Sequence, residues 1–110
     1  MTGYPLDISS LEKMIDSGRD SAMLRLSLAR LLAEDGRPDD AVKHLEAALD
    51  MKPEYTAAWK ELGRQHMAVG RIEDARQAWE KGIVIANQNG DKQAGKEMTV
   101  FLRRLDKRPA

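Results

Sequence analysis

Residues 56–89 read TAAWKELGRQHMAVGRIEDARQAWEKGIVIANQN, and the 34 residues before them read AMLRLSLARLLAEDGRPDDAVKHLEAALDMKPEY. Laid over one another without a gap, they pair Leu28 with Leu62, Arg30 with Arg64, Gly36 with Gly70, Arg37 with Arg71, Asp40 with Asp74, Ala41 with Ala75 and Glu46 with Glu80. Average residue usage would give roughly two identities in such a window. Conservative pairs, Ala29 with Gly63, Leu45 with Trp79 and Ala48 with Gly82, strengthen the match. A period of this length marks stacked supersecondary units, none of which can bury its apolar face alone.

At about 100° per residue, Trp59, Leu62, Gly63 and His66 fall on one narrow helix face. Small Ala29, Ala41, Gly63 and Ala75 allow close helix approach, and Leu45 and Trp79 fill the space between. Gly36 and Gly70 stand where each first helix ends, a place for a left-handed backbone. Pro38 and Pro53 suit the first turn of a following helix, where no N–H is needed. The pattern predicts helices near 20–35, 38–51, 54–69 and 72–87. Upstream, Ser9-Ser10-Leu11-Glu12 reads as a capping box opening a short helix to about Ser17. The period sets its Leu11 where Leu45 and Trp79 lie. Downstream, 91–107 makes a last helix with Ala94, Met98, Phe101, Leu102 and Leu105 on one face, and Val100 off it.

These residues resemble the tetratricopeptide repeat family, whose pattern is W-x2-L-G-x2-Y, then A-x3-F, then a late Pro. The second repeat carries Trp59, Leu62, Gly63, His66 in the Tyr place, Ala75, Trp79 in the Phe place and Gly82; the first carries Leu28, Ala29, Leu32, Ala41, Leu45, Ala48 and Pro53. Arg25 stands where the family often has Trp, and Asn87 replaces the second closing Pro. The resemblance implies an all-α, right-handed α-α superhelix of about six helices. The expected organisation is a single domain over 1–110: a half-repeat helix (8–21), two repeats (22–55 and 56–89) and a capping helix (90–107).

Composition narrows function. Eighteen basic and eighteen acidic residues cancel, so no global field attracts nucleic acid or an anionic membrane, and neither partner is expected. Zero cysteines exclude disulfides and thiol chemistry and fit a reducing compartment. The amino terminus has no basic n-region or apolar h-region, and no stretch approaches the roughly 18 apolar residues of a membrane span. The expectation is a cytoplasmic protein. Phosphate-loop, dinucleotide, nucleophile-elbow and zinc-protease motifs are absent. His66 reads as a buried packing group, His44 as solvent-exposed, Ser21 as a helix cap, and Asp39-Asp40 and Glu73-Asp74 as acids favouring helix starts. No catalytic residue, metal site or cofactor is expected.

In the resembling family the first helix of each repeat lines a concave groove that takes peptides or partner helices. The corresponding residues here are Met23, Leu26 and Arg30 in the first repeat, Lys60, Arg64 and Met67 in the second, and Lys92, Lys96 and Arg103 in the last helix. Such a groove is apolar at one end and basic towards the other, suited to a partner protein or an acidic peptide. The pairs Lys60/Arg64 and Lys92/Lys96 resemble two parts of the clamp that grips a C-terminal carboxylate in chaperone adaptors, with Arg64 in place of its Asn. A solvated charged face is the alternative at the same residues, and a weak homodimer through an imperfectly covered end is the alternative function. The cations Arg103, Arg104, Lys107 and Arg108 also complement the dipole of the last helix.

Overall fold

Six helices and no strand form among residues 7–107, the part of the chain that the computed structural model describes: α1 (Ile8–Asp16), α2 (Ala22–Glu34), α3 (Pro38–Met51), α4 (Thr56–Ala68), α5 (Ile72–Asn89) and α6 (Lys92–Asp106). Arg108 lies outside the described residues.

Local chemistry sets the ends. Asp7, not Ser9, caps α1, its carboxylate accepting from the Ser10 N–H at 2.8 Å, so the helix begins one residue before the sequence box. Ser21 caps α2, its hydroxyl accepting from the Leu24 N–H at 3.1 Å. Pro38 opens α3 as expected. Pro53 does not open α4: the Tyr55 N–H donates to the Lys52 carbonyl, closing a turn, and α4 starts only at Thr56. With Asn87 in place of a closing proline, α5 runs on to Asn89 and stops at left-handed Gly90, φ 72°. The Asn89 side chain then donates to the Glu54 carbonyl at 2.9 Å, tying the end of α5 to the α3–α4 turn.

Helices adjacent in sequence pack on one another, and α4 also touches both α2 and α6. The Cα traces of α1 and α3, and of α3 and α5, stay more than 8 Å apart, so only side chains reach between them. The stack is thus closed along α2, α4 and α6 and open along α1, α3 and α5, an elongated body of 46 × 31 × 28 Å. Leu11, Leu28, Leu32 and Leu45 are the large side chains fully buried in its first half, with Met98 in the second. Close approach depends on two glycines. The Trp79 indole lies on Gly63, where an added Cβ would sit 2.2 Å from Nε1, and Met98 lies on Gly82, where it would sit 2.5 Å from the sulfur. Trp79 Nε1 donates to the Lys60 carbonyl at 3.1 Å, which fixes the ring over α4.

Candidate partner-binding face

The seam between α4 and α6 is built of rungs. Lys60 Nζ donates to Glu97 Oε1 at 3.2 Å, and the Arg64 guanidinium lies 5.4 Å from the centre of the Phe101 ring. One turn on, Met67 meets Arg104 and Leu105 across a cleft. Partners that climb in step mean that α4 and α6 run parallel. On the other edge of α4, Glu61 accepts from Gln65 Nε2 at 2.8 Å and faces Arg30 Nε at 3.9 Å, so Glu61 marks the α2 side and Lys60 the α6 side.

Between those two edges, away from the core, the helical wheel places Ala57, Arg64 and Ala68. The helix starts at Ala22, Thr56 and Lys92 put the equivalent positions 34 residues earlier and 36 later. They are Met23, Arg30 and Glu34 on α2, and Gln93, Val100 and Arg104 on α6. The inner face therefore carries Arg30, Arg64 and Arg104, one exposed guanidinium per helix. Beside them lie Met23, 72% exposed, and Val100, 40% exposed, two large apolar side chains in water.

The nine residues expected from sequence do not all share this face. Met23, Arg30 and Arg64 lie on it, and Met67 lies beside it, half-buried in the cleft. Leu26 is only 3% exposed and belongs to the core, so it offers no groove surface; it occupies the place of Lys60, and an aliphatic side chain there folds inward. Lys60 is held to Glu97 and its side chain is 21% exposed, leaving its charge internally matched. Lys92, Lys96 and Arg103 are exposed, but they sit about 100–140° around α6 from Glu97, on the side turned away from α4. They form the outer edge of the stack rather than its inner face. The α6 register, two residues longer than the repeat, is the cause. Sequence reasoning missed Glu61, Glu97, Val100 and Arg104 as parts of this face; a wheel built on the cap Asp91 would have found the last three.

The cleft has a volume of about 250 Å³ and is lined by Met67, Trp79, Phe101, Leu105 and Arg104, with almost wholly apolar walls. Trp79 and Phe101 pack with ring centres 5.1 Å apart, so its floor is a rigid aromatic pair. Among the described residues neither Arg64 nor Arg104 has an ion-pair partner.

The tetratricopeptide repeat family model matches residues 26–92, most of the chain. The chain belongs to the tetratricopeptide repeat family. It is 47% identical over 100 residues to a TPR repeat-containing protein of Pseudomonas aeruginosa, covering 91% of this chain and 95% of that one. The solution structure of a Bordetella parapertussis protein superposes with a TM-score of 0.82 at 44% identity, over 94% of this chain and 90% of that one. A shorter match, 31% identical over 64 residues, falls in the Hsp70-Hsp90 organizing protein of Triticum aestivum, with 58% of this chain and 11% of that protein covered.

Family membership makes this a protein–protein interaction module, and its departures from the repeat pattern have structural roles. Trp59 keeps the motif position and donates through Nε1 to the Pro53 carbonyl at 2.8 Å. Arg25, in the Trp place of the first repeat, is gripped by both oxygens of Asp20 at 2.6 and 2.8 Å and donates to His44 Nδ1 at 3.0 Å. His44 is thus half-buried, not solvated as expected, because Arg25 and α1 cover it. His66, in the Tyr place, is buried and accepts from Arg71 Nε at 3.1 Å. Burial holds both histidines below their ordinary pKa, with the neighbouring Arg25 or Arg71 charge acting in the same direction and nearby acids opposing. Each ring is neutral and accepts through Nδ1, so its proton is on Nε2. Among the described residues, no three His, Cys, Asp or Glu side chains are grouped to hold a metal, and no helix is long and apolar enough to cross a membrane.

Proposed function

We propose that this tetratricopeptide repeat protein is a non-catalytic adaptor that binds an acidic peptide or helix along the inner face of α2, α4 and α6. The observation that supports this reading is the row Arg30, Arg64 and Arg104, one exposed guanidinium per helix, flanked by exposed Met23 and Val100. Guanidiniums at successive helix positions suit carboxylates spaced along a partner, through charge-assisted hydrogen bonds. The apolar neighbours add contact area without a polar group to desolvate. Glu97 is held by Lys60, and Glu61 by Gln65 and, at 3.9 Å, by Arg30, so among the described residues Arg64 and Arg104 are the two inner-face guanidiniums left wholly to outside carboxylates.

A lysine clamp on a C-terminal carboxylate is the less favoured version, because Lys60 would have to leave Glu97 and Lys96 lies on the outer edge. The match to an Hsp70-Hsp90 organizing protein supports a protein partner in general. Calorimetric titration with a capped Glu-rich peptide tests the reading. Binding that weakens at least tenfold in Arg30→Glu/Arg64→Glu, and weakens as salt is raised, is the expected result. Equal affinity in that variant, with its helicity intact, would overturn it.

A further inference from the structure

The first two rungs of the α4–α6 seam are closed, by an ion pair at Lys60–Glu97 and by a cation over a ring at Arg64–Phe101. The third is not. Met67, Arg104 and Leu105 stand apart around a space of about 250 Å³ with Trp79 behind it. A closed apolar cavity of about 150 Å³ is enough to take benzene, so this cleft has room for one aromatic or branched aliphatic side chain. Its rim is charged while its walls are not. Arg104 lines the cleft and Arg64 stacks on Phe101, one of its walls, and neither has a carboxylate partner among the described residues. An apolar pocket with one guanidinium in its lining and a second stacked on its wall selects for an apolar side chain with a carboxylate beside it, since burial of the first brings the second into charge-assisted contact.

We infer that this cleft is the anchor pocket of the module, taking one large apolar side chain, Phe or Leu, of a bound peptide whose adjoining Asp or Glu rests on Arg64 and Arg104. The assignment rests on the inner-face reading above and adds the sequence class of the partner: an acidic peptide with a single large apolar residue immediately flanked by carboxylates. The arginines of the inner face then set orientation, and the cleft sets register along the peptide. A rigid floor favours this role, because Trp79 is fixed by its bond to the Lys60 carbonyl and by Phe101, and little order is lost on binding.

The test titrates the ¹⁵N-labelled full chain with two capped peptides, Glu-Glu-Phe-Glu-Glu and the same with Ala for Phe, following the Trp79 indole N–H. The Phe peptide is expected to bind at least tenfold more tightly and to shift that indole. In Met67→Glu, which sets a carboxylate in the cleft, the preference for Phe over Ala should vanish; Arg104→Glu, a surface change, should weaken the Phe peptide at least tenfold. Equal binding of both peptides, with shifts at Arg30 and Arg64 but none at Trp79, would overturn the anchor pocket and leave the inner-face reading standing. Failure of both peptides to bind would overturn both. An indole shift with protein concentration alone, competed by the Phe peptide, would assign the cleft to a second copy and overturn the peptide anchor.

Discussion

Gly63→Ala is the most demanding small perturbation of this stack. Within a helix the change should help, since alanine exceeds glycine in helix propensity by about 1 kcal/mol. Here the new Cβ would lie 2.2 Å from Trp79 Nε1, 2.4 Å from Cε2 and 2.6 Å from Cδ1. The indole cannot simply retreat, because it is 5% exposed, packs on Phe101 and donates to the Lys60 carbonyl. Overpacking of this kind costs about 1–3 kcal/mol, and loss of the indole hydrogen bond adds about 1 kcal/mol. Set against the propensity gain, the net destabilisation is about 1–3 kcal/mol, a fall in Tm of roughly 5–20 °C for a domain of this size. Gly95→Ala is the control: its Cβ would meet nothing closer than 3.6 Å, so propensity acts alone and stability should rise by up to about 1 kcal/mol. Urea unfolding followed by circular dichroism and tryptophan fluorescence measures both. If Gly63→Ala is as stable as the parent, or gains as Gly95→Ala does, the seating of Trp79 on Gly63 is refuted.

Two further outcomes follow from buried groups. Met98 is fully buried against Gly82, so Met98→Ala should cost about 2–5 kcal/mol in the same assay, and a loss below 1 kcal/mol would mean that α6 does not seal the second core. His44 and His66 have folded pKa values below the ordinary 6.5, so the unfolded chain binds protons first as the pH falls. Their contribution is fully present above about pH 6.5 and is lost as the pH drops from there toward the folded pKa. Urea midpoints should therefore decline from about pH 7.5 to about pH 5, less steeply in His44→Gln/His66→Gln; an equal decline in that variant would place the effect elsewhere.

The fold was legible because its determinants are short-range or periodic. Gly36 and Gly70 end helices, Ser21 and Pro38 open them, and the repeat marks Gly63 as a place of close helix approach and Trp79 as a side chain that fills the space between helices. The site was only half legible. Arg30, Arg64 and Met67 could be placed because they lie inside the strict period. The period fails after α5, whose two extra residues turn α6 and carry Lys92, Lys96 and Arg103 to its outer side. Nor could sequence show that Lys60 would meet Glu97 or that Leu26 would fold inward, because a long charged side chain and an aliphatic one at equivalent positions find different surroundings. His44 was misread for a similar reason: what covers it, Arg25 held by Asp20, comes from a neighbouring helix.

The central claim is that partners lie along α2, α4 and α6, and a backbone amide shift map of the full chain with a capped acidic helical peptide tests it most directly. The predicted footprint runs across the three helices at Met23, Arg30, Arg64, Val100 and Arg104 and spares the open side between α3 and α5. A footprint confined to that open side, around Glu46, His66 and Gln77, or to Lys92, Lys96 and Arg103 on the outer edge, would contradict it.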